Sequence, residues 1–131
     1  MSGKKVLVVD DEIHIVHVVA IKLRNNGYEV VTAGNGAEAF KLACEEKPDI
    51  IVTDYQMPVM SGLEFVGKLR SSEATRDIPV IMLTARNFAV DDKQKEDLGI
   101  SQCISKPFSP KELLENIEDI LYQRELVVDN R

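Results

Sequence analysis

IIVTDYQMPVMSG, residues 50–62, is the stretch around which the rest of the chain is organised. Its first four residues are apolar or β-branched and predict a strand that is buried on both faces. Asp54 follows directly, and a carboxylate at the end of a buried strand is costly unless a neighbouring group binds its charge. Pro58 cannot continue a strand pairing, and Gly62 relaxes the backbone before the next helix. We therefore expect Asp54 at the carboxyl end of a strand, on a stiff loop, with charged partners nearby.

Length and composition favour one globular domain in the cytoplasm. The chain has 131 residues, which fits a single domain, and its net charge of −6 argues against direct nucleic-acid binding, which needs clustered Lys and Arg. No apolar run approaches the ~20 residues of a membrane helix, and the N-terminus has no signal-peptide pattern, so no membrane contact is expected. Cys44 and Cys103 match no zinc or redox spacing and are expected to be small buried residues in a reducing compartment.

Five short apolar runs alternate with five segments of helical pattern. The predicted strands are 6–9, 29–33, 50–53, 80–83 and 101–105, and the predicted helices are about 13–26, 35–46, 61–70, 88–98 and 110–124. The first helix is expected to bury Ile13, Val16, Ala20 and Leu23, whereas the fourth is mostly charged and has little apolar face. Each strand–helix–strand step demands a parallel sheet with helices on both faces. The predicted fold class is therefore α/β, with three layers and a (βα)5 architecture.

Reactive side chains cluster at the carboxyl ends of four predicted strands. Asp10 and Asp11 follow the first strand, Asp54 the third, Thr84 the fourth and Lys106 the fifth. In an open parallel sheet, ligands bind outside these ends, at the point where the strand order reverses. A sheet ordered 2-1-3-4-5 puts these four strands side by side and brings the five side chains to one rim.

The chemistry of this set points to phosphoryl transfer. Three carboxylates on one rim repel one another, and Mg²⁺ relieves that repulsion while leaving a position for a phosphate oxygen. Lys106 is a compact positive charge suited to a phosphoryl group, and Thr84 supplies a hydroxyl donor. Asp54 would then be the nucleophile that forms an aspartyl phosphate. Each residue alone has a plainer explanation, such as helix capping or solvation, but four strand ends with complementary chemistry do not.

Four segments carry a family resemblance: Val8–Glu12, Asp54–Gly62, Leu83–Ala85 and Ser105–Phe108. In this order they are highly specific, and the chain resembles the receiver domain of two-component response regulators over about residues 4–124. The remaining residues 125–131 are interpreted as a C-terminal tail or the start of a linker helix. The resemblance implies a flavodoxin-like sheet ordered 2-1-3-4-5 and a phosphorylation switch that is not a conventional enzyme.

The resemblance also assigns the phosphoryl chemistry. Asp54 would accept a phosphoryl group from a histidine kinase or a histidine phosphotransfer protein, and the same site would slowly hydrolyse the aspartyl phosphate. Mg²⁺ would be held by Asp11, Asp54 and the backbone carbonyl of Gln56, with Asp10 acting mostly through a metal-bound water. Thr84, Ala85 and Lys106 would bind the phosphoryl group and carry the switch, and the Lys106–Pro107 peptide would be cis.

Receivers usually carry Tyr or Phe three residues before the lysine, and this aromatic swings inward on activation. Here that position is Cys103, so the sequence lacks the aromatic part of the usual switch. The thin apolar face of the 88–98 helix gives it few contacts to break, so we expect phosphorylation to repack this helix. A downstream effector or output domain is then expected to contact the surface of this helix, strand five and the last helix, which is also compatible with a phosphorylation-dependent dimer.

Three other functional classes compete with this interpretation. A haloacid-dehalogenase-type phosphatase also uses Asp, Thr, Lys and Mg²⁺, but it needs a second acid two residues after the nucleophile, where this chain has Gln56. A dinucleotide-binding module fails because no Gly-x-Gly-x-x-Gly follows the first strand. A pseudo-receiver that only binds partners is the remaining alternative, and the complete set of acids, threonine and lysine argues against it.

Overall fold

The computed structural model describes residues 3–85 and 90–129, the last three as backbone only. Strands and helices alternate: β1 (Lys5–Val9), α1 (Ile13–Arg24), β2 (Glu29–Ala33), α2 (Gly36–Glu46), β3 (Ile50–Asp54), α3 (Gly62–Ser71), β4 (Val80–Thr84), α4 (Asp92–Asp97), β5 (Ile100–Ser105) and α5 (Pro110–Asp129). The strands pair in parallel in one sheet of order β2-β1-β3-β4-β5. The predicted fold class and strand order are therefore confirmed.

Two apolar cores lie on the two faces of the sheet. Successive strand residues point to opposite faces, so Val6 and Val8 of β1 join the core under α1 and α5, whereas Leu7 and Val9 join the core under α2 and α3. All five residues of β3 and of β4 are buried. This double burial explains why the inner strands are continuous apolar runs instead of alternating ones.

Side-chain caps begin several helices, as the sequence predicts. The Ser61–Glu64 capping box of α3 is complete, with both reciprocal hydrogen bonds present. The box predicted for α2 is only half formed. Asn35 accepts a hydrogen bond from the Glu38 backbone N–H, but the Glu38 carboxylate accepts from Gly34, one residue before the expected partner.

Two predictions about helices and one about cysteines are wrong. Ile13, the first residue of α1, was expected inside but is 73% exposed. The fourth helix begins at Asp92 instead of near residue 88, since Asp91 caps it in a box with Gln94; residues 88 and 89 lie outside the described residues. Both cysteines are free but half-buried, not buried.

The last helix continues past the boundary predicted for the domain. It follows the Ser109 cap, whose hydroxyl accepts from the Glu112 N–H, and its side chains Leu113, Ile117 and Leu121 are buried under the sheet. The helix then continues through Arg124 to Asp129 without a break. The division of the chain near residue 124 stays a prediction.

Candidate phosphoryl-acceptor site

The predicted site residues meet at the carboxyl rim of the sheet. Asp54 and Thr84 are the last residues of β3 and β4, and Lys106 comes directly after β5. Asp10 and Asp11 come directly after β1. Since β1, β3, β4 and β5 are consecutive in the sheet, residues almost 100 positions apart come within hydrogen-bonding distance, as shown by Asp10 and Lys106.

Three carboxylates form the acidic part of the site. One oxygen from each of Asp10, Asp11 and Asp54 lies within 4.8 Å of the others. Asp10 and Asp54 are 1% and 6% exposed, whereas Asp11 is exposed. Oxygen is the ligand that hard divalent cations prefer, so this group has the donor set of a Mg²⁺ site.

Lys106 supplies the positive charge of the site. Its Nζ lies 3.0 Å from Asp10 Oδ2, 3.2 Å from Asp54 Oδ1 and 3.2 Å from Glu12 Oε1. Its backbone N–H donates to the Thr84 carbonyl at 2.7 Å, and its peptide bond to the following proline, Pro107, is cis, the geometry that the resemblance implies. An ammonium has three N–H donors, so the three carboxylates match its full capacity.

Burial and charge shift the protonation equilibria of the two central groups. Burial raises the pKa of Asp54 to about 6, and the negative charges of Asp10 and Asp11 act in the same direction, whereas the charge and the hydrogen bond of Lys106 oppose the rise. Burial lowers the pKa of Lys106, but its contacts with Asp10 and Asp54 outweigh this and leave that pKa raised. Three carboxylates surround one ammonium at this rim, so the site has a net negative charge that a bound cation would relieve.

Thr84 is a buried hydroxyl without a hydrogen-bond partner among the described residues. Leaving a buried donor unsatisfied costs about 1–3 kcal/mol. The hydroxyl is therefore available as a donor to a group bound at this rim.

The loop between β3 and α3 is shaped by a close backbone approach. A Cβ at Gly62 would collide with the Asp54 carbonyl oxygen and lie 2.9 Å from the sulfur of Met82. Glycine is needed here for space, and the prediction that it relaxes the backbone before α3 misses this reason. Val59, at the tip of the loop, has φ +70° and is fully exposed, a conformation that β-branched residues rarely adopt.

The remaining predicted residues surround the acids. Gln56 and Ala85 are both exposed and line a cleft of about 620 Å³ with Asp54, Glu12 and Lys106. The contact between Glu12 and Lys106 was missed by sequence reasoning. The one hint of this contact in the sequence is that a glutamate precedes the first helix, at a position where Ser, Thr, Asp and Asn are preferred.

Cys103 occupies the β5 position at which the resemblance leads us to expect an aromatic residue. It pairs with Met82 of β4 and is half-buried against the core under α2 and α3. Burial raises the pKa of its thiol, and the charge of Lys95 only partly opposes this. The thiol is thus a small, neutral packing group next to α4 and not a reactive thiolate.

Comparison with known proteins identifies relatives across nearly the whole chain. The family model "Response regulator receiver domain" matches residues 6–118. The phosphate regulon transcriptional regulatory protein PhoB of Pseudomonas aeruginosa is 40% identical over 121 residues, which are 92% of this chain and 53% of that protein. The chain spans about half the length of the curated relatives it matches.

Solved structures show the same architecture. The chemotaxis response regulator CheY4 of Vibrio cholerae is 37% identical, with a TM-score of 0.83 over 89% of this chain and 98% of that chain. The receiver domain of sensor histidine kinase PA1611 from Pseudomonas aeruginosa, solved with a magnesium ion in its active site cleft, is 28% identical, with a TM-score of 0.81 over 92% of this chain and 98% of that chain. Among the described residues, none of the helices has the length and apolar character needed to span a bilayer.

Proposed function

Because this chain belongs to the receiver domain family of two-component response regulators, we propose that Asp54 accepts a phosphoryl group from the phosphohistidine of a histidine kinase or a histidine phosphotransfer protein. The observation that carries this proposal is the surroundings of Asp54: a buried carboxylate, 3.2 Å from the Lys106 ammonium and within 4.8 Å of two further carboxylates. No structural role requires so much buried negative charge at one strand end, because burying it lowers stability.

Mg²⁺ is the cofactor that this donor set fits. The carboxylates of Asp10, Asp11 and Asp54, with the backbone carbonyl of Gln56, would hold it. Burial is the main cause of the raised pKa of Asp54, and the charges of Asp10 and Asp11, which a cation offsets, add to it. When bound, Mg²⁺ supplies positive charge to the oxygens of the transferring phosphoryl group. The magnesium ion in the PA1611 receiver structure supports this choice of metal.

The residues of the chain have separate roles in the transfer. An Asp54 oxygen attacks phosphorus as the bond from phosphorus to the histidine nitrogen breaks, and the imidazole keeps that electron pair. Lys106 exchanges its contact with the Asp54 carboxylate for one with a phosphoryl oxygen, and Thr84 donates its hydroxyl hydrogen to another. Water later cleaves the acyl phosphate, slowly, so the domain works as a timed switch and not as a conventional enzyme.

The switch would signal through the surface of α4, β5 and α5. None of the six described residues of α4 is buried, so this helix has few contacts to break when Thr84 is drawn toward a phosphoryl group. A downstream effector or output domain would bind this surface. The relatives PhoB and PhoP are named as transcriptional regulatory proteins, which supports a downstream output of this kind. We place the protein in the cytoplasm, where histidine kinases present their phosphohistidine.

Labelling with acetyl phosphate and Mg²⁺, followed by intact mass spectrometry, tests the proposal. Wild type should gain one phosphoryl group and lose it slowly, Asp54→Ala should gain none, and the exposed α4 variant Asp92→Ala should behave as wild type. An unlabelled wild type would indicate a pseudo-receiver. Sustained phosphate release from unrelated phosphomonoesters would indicate a haloacid-dehalogenase-type phosphatase.

A further inference from the structure

Glu12 stands at the start of α1 but does not cap it. Within the described part of the chain its carboxylate accepts no capping hydrogen bond, although short polar side chains at this position normally do. Its Oε1 instead accepts a hydrogen bond from Lys106 Nζ at 3.2 Å, and its backbone N–H donates to Asp10 Oδ1 at 2.9 Å. Both the backbone and the side chain of Glu12 therefore contact the Asp10–Lys106 ion pair.

The three carboxylates around the Lys106 ammonium differ in how readily water can replace their contact with it. The side chains of Asp10 and Asp54 are 0% and 8% exposed, so their negative charges depend on Lys106. The Glu12 side chain is 48% exposed and can be solvated without the lysine. A phosphoryl group on Asp54 presents new oxygens to this ammonium, and its Glu12 contact then competes with them.

We propose that Glu12 is a positioning residue that competes with the phosphoryl group for the Lys106 ammonium and so limits how tightly the site holds that group. The inference rests on the proposed function of Asp54. It assigns to this carboxylate a role opposite to that of Lys106 and Thr84, which both favour the phosphorylated state. The strength of the competition follows from the exposure of Glu12, because half-exposed ion pairs contribute modestly.

Beryllium fluoride, which binds an aspartate carboxylate as an analogue of the phosphoryl group, is the probe for the test. At Mg²⁺ concentrations shown by titration to saturate each protein, Glu12→Gln should bind it about two- to fivefold more tightly than wild type, the range expected from one half-exposed ion pair. Glu38→Gln is the matched control, because Glu38 is an exposed carboxylate at the start of α2 that contacts Gly34 and not Lys106. Its affinity should equal that of wild type.

A double-mutant cycle separates competition for the lysine from direct repulsion of the anion. In a Lys106→Ala background, Glu12→Gln should no longer change the affinity; an equal gain in both backgrounds would overturn the proposal. The Lys106 ¹⁵Nζ resonance gives a second measurement in the free protein: it should shift in Glu12→Gln but not in Glu38→Gln, and an unchanged resonance would contradict the role of Glu12. Failure of wild type to bind the probe at all would instead reject the proposed function.

Discussion

Replacing Asp54 by Asn should remove part of the pH dependence of the free energy of unfolding. The folded protein holds the Asp54 proton until about pH 6, because burial raises the pKa of this carboxyl, whereas the unfolded chain releases it near the ordinary value of 3.8. Between these values the folded state binds more protons than the unfolded state, so stability falls as the pH rises through this window. Above it, the full penalty of the buried charge is present. Asparagine cannot ionise, so the variant avoids this loss.

The size of the effect follows from the shift. A rise from 3.8 to about 6 corresponds to about 3 kcal/mol at 1.36 kcal/mol per pKa unit. The site opens to solvent along its cleft, and solvent screening reduces this to about 1–2 kcal/mol. The attraction between Lys106 and the ionised Asp54 is already included in this net shift, because it lowers the pKa of that carboxyl. The stability of Asp54→Asn relative to wild type should therefore increase by about 1–2 kcal/mol between about pH 4 and pH 8.

Urea unfolding followed by far-ultraviolet circular dichroism measures this change, with a chelator present to exclude divalent cations. Circular dichroism is the suitable probe because the chain has no tryptophan. Asp119→Asn, an exposed carboxylate on α5, is the control and should track wild type. A stability difference that stays constant between the two pH values, or shrinks as the pH rises, would refute the role given to Asp54 burial.

The same two proteins respond differently to Mg²⁺ if the acidic group binds it. Near neutral pH, added Mg²⁺ should stabilise wild type in proportion to the logarithm of its concentration above Kd. Asp54→Asn should gain much less, because one ligand is lost. Equal stabilisation of both proteins would place the cation elsewhere.

Four further substitutions test individual contacts. Val59→Asn should stabilise the protein by about 1 kcal/mol in thermal unfolding, because Asn tolerates a φ of +70° better than Val and the exposed valine loses no packing. Gly62→Ala should destabilise it by about 1–3 kcal/mol in urea, since the new Cβ collides with the Asp54 carbonyl oxygen. Thr84→Ala should change stability by less than about 1 kcal/mol, because removing a buried hydroxyl that is unpaired in the described structure offsets the loss of a buried methyl group. The same variant should abolish the amide-exchange response of α4 to beryllium fluoride. Arg70→Met should cost about 2–4 kcal/mol in urea and speed amide exchange in the α4–β5 turn, since the guanidinium donates to four backbone carbonyls.

Sequence patterns were most informative where local and global structure agree. The apolar run before Asp54 specified a doubly buried strand, because only a central parallel strand is covered on both faces. Ser61 marked the start of α3 because its cap is made entirely with the next turn of the same helix. Convergence of the acids, threonine and lysine could be predicted because parallel strands end at one edge of a sheet.

Features that depend on tertiary position could not be obtained in this way. Ile13 is in phase with the buried face of α1, but helical periodicity does not show whether the first residue of a helix is covered by its neighbours, and Ile13 is exposed. The Glu12–Lys106 contact joins residues 94 positions apart, so only the coordinates show it. The positive φ of Val59 is likewise invisible in a residue type that normally avoids it.

The described contacts that hold α4 lie at its two ends, and they constrain how the chain could switch without an aromatic residue on β5. Val90 before the helix is 6% exposed, and Arg70 donates to the carbonyls of Leu98 and Gly99 after it. Between these anchors the described helix buries no residue, so moving it exposes little apolar surface and costs correspondingly little at ~25 cal/mol per Å². Cys103 is too small to displace a neighbouring helix by changing its rotamer. Under the proposed function, a signal from Thr84 that moves α4 would therefore act against the Arg70 contacts at the far end of this helix.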